Sequence, residues 1–180
     1  QTSISAELEV NGKAMDANFL SYEVSLAPDQ EPLVWESILT GEQLEDDMYA
    51  ETIELPQPDG SYFVKVLATD KAGWEAEKVN AFTVDTTAPT AQIDAPVTSS
   101  LHGNKVQIRG TASDENISHF TVSIRSVENA NEPWFLIYSG YESVTSGDLF
   151  LWDHNEESGD YQLKLVVTDL AGQMNEHSVS

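Results

Sequence analysis

At 180 residues, with 31 Asp and Glu against 8 Lys and Arg, the chain carries a formal net charge of −23. Such a field repels nucleic acid and anionic membranes, whose recognition runs on clustered Lys and Arg. The 40% of hydrophobic residues excludes a disordered chain, no apolar run approaches the roughly 18 residues of a membrane-spanning helix, and the lack of cysteine excludes disulfides, thiolate zinc sites and thiol nucleophiles.

Gln1 opens in mid-pattern, without the basic start and apolar stretch of a signal peptide, which predicts a segment of a longer protein. Residues 10–26 read V-N-G-K-A-M-D-A-N-F-L-S-Y-E-V-S-L, and residues 108–124 read I-R-G-T-A-S-D-E-N-I-S-H-F-T-V-S-I. Gly12, Ala14, Asp16 and Asn18 return as Gly110, Ala112, Asp114 and Asn116, an offset of 98 (108 − 10). Trp35 returns as Trp134, and residues 62–73 (Y-F-V-K-V-L-A-T-D-K-A-G) return as residues 161–172 (Y-Q-L-K-L-V-V-T-D-L-A-G), now offset by 99 (161 − 62). One inserted residue reconciles the two offsets, so the chain is a duplication. Residues 1–86 and 87–180 are the expected repeats, with the boundary at 86–90.

Within each copy the apolar period is two. Tyr62, Val64, Val66 and Ala68 alternate with Phe63, Lys65, Leu67 and Thr69, and Phe120, Val122 and Ile124 alternate with Thr121, Ser123 and Arg125. That period marks strands with one face on a core. Pro-Asp-Gly at 58–60, Ser-Gly-Asp at 158–160 and the Ala-Gly pairs at 72–73 and 171–172 punctuate them. The acidic stretch 41–50 has room for one short helical turn. In copy two the pattern predicts strands at 105–110, 118–126, 134–138, 149–152 and 161–168, a loop at 111–116, and a final strand from Met174.

Residues 55–73, with a Tyr opening the penultimate strand, resemble the end of a fibronectin type III or bacterial immunoglobulin-like domain. The junction Val-Asp-Thr-Thr-Ala-Pro, 84–89, is similar to those between repeats of bacterial surface and secreted proteins. The resemblance implies an all-β fold of two tandem sandwiches, about seven strands each, with Tyr62 and Tyr161 largely buried as tyrosine corners. It further implies an exported protein at the cell surface or outside the cell. Antibody-type domains carry a Cys pair that is missing here, which favours the fibronectin-like and bacterial variants.

No catalytic constellation stands out. His102, His119, His154 and His177 all lie in copy two without counterparts in copy one, so a function carried by the repeat does not depend on them. No zinc spacing or phosphate loop occurs, and Asp46-Asp47 and Glu156-Glu157 read as solvated loop pairs. Trp35 and Trp134 read as caps on the core or, alternatively, as sugar-stacking platforms. Trp74, where copy two has Gln173, reads as exposed and open to a partner contact.

One carboxylate set is different, because a sandwich brings it to one pole. The loop after the second strand and the loop before the last lie at the end where the chain enters. For copy two that gathers Asp114, Asn116 and Asp169 with Asp85 of the junction; copy one repeats the set as Asp16, Asn18 and Asp70. The residues are open to two readings. They are turn formers whose side chains cap backbone amides, or they are ligands of calcium, which takes about six to eight hard oxygens. The expected function is therefore a non-catalytic spacer or adhesion module, possible calcium its one cofactor, neighbouring domains of the longer chain its first partners. A substrate- or carbohydrate-binding pair of a secreted hydrolase is the alternative, with a protein or polysaccharide ligand.

Overall fold

The computed structural model describes the chain apart from residues 1, 5–6, 11, 15, 43–44, 49–51, 55–57, 98–102, 129–132 and 154–158. It divides into two compact units, Gln1–Thr86 and Thr87–Ser180. The described residues hold strands and no helix, as the period of two requires.

In the first unit, five strands form one sheet in the order β1 (Thr2–Ile4), β9 (Glu75–Val84), β8 (Gly60–Asp70), β4 (Phe19–Pro28) and β5 (Glu36–Gly41). Two short ladders join β2 (Glu7–Glu9) to β7 (Thr52–Glu54) and β3 (Gly12–Ala14) to β6 (Glu45–Met48). The last of these lies in the acidic stretch that had room for a short helical turn. A lone turn closes few hydrogen bonds for the residues it fixes, whereas pairing Gly12 with Met48 and Ala14 with Glu45 gives β6 a ladder partner. Leu8, Leu26, Tyr62, Phe82 and Val84 form the core.

The second unit is a sandwich of a three-stranded and a four-stranded sheet. The first runs β10 (Thr90–Ala95), β11 (Lys105–Ser113), β14 (Val144–Asp153); the second runs β13 (Phe135–Gly140), β12 (Ile117–Ser126), β15 (Tyr161–Asp169), β16 (Met174–Val179). Ile93, Ile108, Phe120, Val122, Leu149, Leu163, Leu165 and Val167 close the core. Two strands outrun the expectation. β11 continues to Ser113 because Ala112, fully buried, pairs with both Ala91 and Val144. β14 starts at Val144 because its ladder with β11 is carried through two register shifts, past the polar, glycine-containing stretch 145–148 that shows no apolar period.

The tyrosine corner is built in the first unit. Tyr62 is buried, stacks on Phe82 with ring centroids 5.9 Å apart, and donates its hydroxyl to the Pro58 carbonyl at 2.9 Å. Tyr62→Phe keeps the ring and strands that acceptor, so denaturant titration is expected to show a loss of about 1–3 kcal/mol. Burial, and then the charge of Asp59, raise the Tyr62 phenol above its ordinary 10.0. Folding thus favours the neutral phenol. Its contribution is complete below about pH 10 and lost as pH climbs through the raised value, so the wild type is expected to lose more stability than Tyr62→Phe in alkaline melts. Tyr161, its counterpart, is partly buried, with Trp152 packed edge-on against it at a centroid distance of 5.4 Å.

Trp35 and Trp134 do not cap the core. Both are half-buried and outside the core clusters. The Lys65 ammonium lies 4.4 Å from the Trp35 ring centre, and Arg125 and Lys164 lie 4.5 and 4.7 Å from that of Trp134. The physical reason is placement. Each Trp immediately precedes a strand, beside cations whose attraction to the ring face holds it there.

Candidate cation site

The repeated Asp-x-Asn motif folds as a turn in both copies. Asp16 Oδ1 accepts the Asn18 amide at 2.6 Å, and Asp114 Oδ1 accepts the Asn116 amide at 2.7 Å. The asparagine carbonyls then reach the other loop of the same pole, taking the amides of Lys71 and Leu170 at 2.8 Å each. Those loops are the repeated Asp-x-Ala-Gly turns. Asp70 Oδ1 accepts the amides of Ala72 and Trp74, both at 2.8 Å, and Asp169 Oδ1 accepts that of Gln173 at 2.8 Å. Gly73 and Gly172 close them with φ of 84° and 87°, a conformation that strains any side-chain-bearing residue. Turn formation therefore occupies one oxygen of each aspartate.

Three of the carboxylates form a group. One carboxylate oxygen from each of Asp85, Asp114 and Asp169 lies within 4.8 Å of the other two. Asp85 and Asp169 are buried, 4% and 2% exposed, and Asp114 is half-buried. Asp169 Oδ2 is buried without a hydrogen-bond partner. A carboxylate oxygen in that position has lost its water and gained no donor, a cost that native interiors rarely leave standing. Asn116 locks the Asp114 turn onto the Asp169 turn through its carbonyl. Three anionic oxygens at this spacing suit a hard cation, with further oxygens completing a calcium shell.

Copy one makes the same turns in a different setting. Asp16 and Asn18 are exposed and Asp70 is half-exposed. Among the described residues the one group of three acids is that of Asp85, Asp114 and Asp169.

The histidines serve elsewhere. His177 Nδ1 accepts the Ile93 amide at 3.1 Å, tying β16 to β10, and His119 Nδ1 sits 3.2 Å from the Ser118 hydroxyl. His102, His154, Glu156 and Glu157 lie outside the described residues, and Asp46 and Asp47 fall in strand β6, not a loop. Trp74 is 78% exposed. The sequence reading missed the cations over Trp35 and Trp134, although Lys65 and Lys164 stand at one repeat position, 99 apart like the tryptophans (164 − 65).

No family model matches the chain, and no curated protein does. Among solved structures, the fibronectin(III)-like modules of Clostridium thermocellum CbhA match 99% of this chain and 86% of theirs, at 19% identity and a TM-score of 0.55. The FN1–FN3 domains of chicken CNTN1 match 99% of this chain and 62% of theirs, at 14% identity and a TM-score of 0.51. At these identities the likeness is one of fold. By fold, the chain is a tandem of two fibronectin type III-like sandwiches.

Proposed function

We propose that the pair is a non-catalytic spacer within a longer exported chain, stiffened by calcium held between the carboxylates of Asp85, Asp114 and Asp169. One observation carries this reading: Asp169 keeps a buried oxygen, Oδ2, without a hydrogen-bond partner, and its carboxylate is one of three that each offer an oxygen within 4.8 Å of the others. A divalent cation there turns mutual repulsion into attraction. The competing reading, a polysaccharide-binding pair, draws less support. Its two candidate platforms, Trp35 and Trp134, each have a ring face taken by protein cations.

The test is calcium added to chelator-treated protein, followed by melting temperature and small-angle scattering. Linkage gives an expected gain of about 2.7 kcal/mol when free calcium reaches roughly 100 times the dissociation constant. Asp114→Ala is expected to abolish the gain and Asp46→Ala to keep it. Melts and scattering unmoved by millimolar calcium would leave Asp114 and Asp169 as turn formers only.

A further inference from the structure

We infer that β13 is the strand through which two chains of this sequence join, pairing edge to edge and antiparallel about a two-fold axis. The second unit has four edge strands, β10 and β14 in one sheet and β13 and β16 in the other. An open edge is a template for pairing with another chain, and like charges set opposite each other work against it. Three of the four edges carry acids: Asp94 in β10, Asp148 and Asp153 in β14, and Glu176 in β16. β13 reads Phe-Leu-Ile-Tyr-Ser-Gly and carries no charge, in a chain whose formal net charge is −23. Among the described residues no strand pairs with its outer side.

The repeat shows that the fold does not demand such an edge. β5 holds the same place in the first unit: Ser25 pairs with Ser37 and Leu26 with Glu36, as Ser123 pairs with Leu136 and Ile124 with Phe135, with the register shift at the same point in both. Where β5 opens with exposed Glu36 and Ser37, β13 opens with Phe135 and Leu136, 69% and 54% exposed. Two large apolar side chains on an open edge leave water when a second strand covers them. The ends of β13 say which strand fits. Arg125 and Lys164 lie over Trp134, which immediately precedes it, and exposed Glu142 follows its other end. Antiparallel pairing of β13 with its own copy lays the cationic end of each strand against the acidic end of the other, so opposite charges meet twice. The acids elsewhere are screened beyond about 8 Å at physiological salt. The contact uses one strand on both sides, so assembly closes at two chains.

Sedimentation velocity of the 180-residue chain tests this, in chelator so that no cation contributes, across a concentration series at physiological salt. A reversible shift from one chain to two is expected as concentration rises. Phe135→Glu combined with Leu136→Ser gives β13 the opening of β5, which this fold already accommodates. That variant is expected to keep the melting temperature and to weaken pairing about 10-fold or more. Glu142→Lys lies outside the strand and sets cation against cation at both ends; it is expected to weaken pairing about 3–10-fold. A chain that stays single up to about 1 mM would overturn the inference, as would wild-type pairing in the Phe135→Glu, Leu136→Ser variant. Unchanged pairing in Glu142→Lys would rule out the antiparallel arrangement, and a series of species larger than two chains would rule out the closed pair.

Discussion

Gly110→Ala is expected to destabilise the second unit by about 3 kcal/mol, the upper end of the range for overpacking. A Cβ at this position would stand 2.0 Å from the Gln92 carbonyl oxygen and 3.1 Å from Ile93 Cα. Both obstacles are backbone, so no side-chain rotation relieves them. Strand β10 has to move off β11, and three things go with it. The Ile93–Gly110 pairing is lost, the buried Ile93 side chain leaves the core, and the bonds from β16 to β10 are pulled. Those bonds are the Ile93 amide on His177 and, at the start of β10, the Asn175 side-chain amide on the carbonyl of Pro89 at 3.0 Å. Gly103→Ala is the matched control, since nothing lies within 4 Å of its added Cβ; its effect is expected within about 0.5 kcal/mol. Hydrogen exchange at β10 and β11 under rising denaturant measures both. Equal protection in wild type and Gly110→Ala would mean that β10 slides without cost and contributes little to the sandwich.

Gly110 also marks where sequence reading reached and where it stopped. The recurrence of Gly12 at Gly110 was visible as a repeat position, but a glycine in a strand pattern does not say which backbone passes over it. Periodicity found β12 and β15 because Phe120, Val122, Leu163 and Leu165 alternate cleanly into one core. It lost the first half of β14, where two register shifts against β11 break the alternation. It read the tryptophans as caps on the core, because ring-over-cation packing depends on cross-strand neighbours that no single strand displays. The pole of aspartates was legible for a different reason. Repeated Asp-x-Asn and Thr-Asp motifs fix local turns, and the sandwich topology alone dictates that those turns meet. The sequence left turn former and ligand as rivals. Bond by bond, the turns take Oδ1, which leaves the second oxygen of Asp169 for another partner.

That division of labour within a single side chain gives an expected crossing of two stability curves. In chelator, wild type carries the buried Asp169 Oδ2 without a donor, on a carboxylate grouped with those of Asp85 and Asp114. Asp169→Asn keeps an oxygen for the Gln173 amide and replaces Oδ2 with an NH₂ group. The new amide donates toward the neighbouring carboxylates and removes one negative charge from the cluster. Without calcium the variant is therefore expected to be the more stable protein, by about 1–3 kcal/mol, the usual cost of an unsatisfied buried polar group. With calcium the order reverses. Wild type gains about 2.7 kcal/mol at roughly 100 times its dissociation constant, while the variant, short of one anionic ligand, gains little. Melting curves of both proteins in chelator and across a calcium series locate the crossing. A variant less stable than wild type in chelator would mean that the Asp169 carboxylate serves the turn alone. Parallel calcium responses would place the cation away from Asp169, since a ligand cannot change from carboxylate to amide in a three-acid site and leave the linkage untouched.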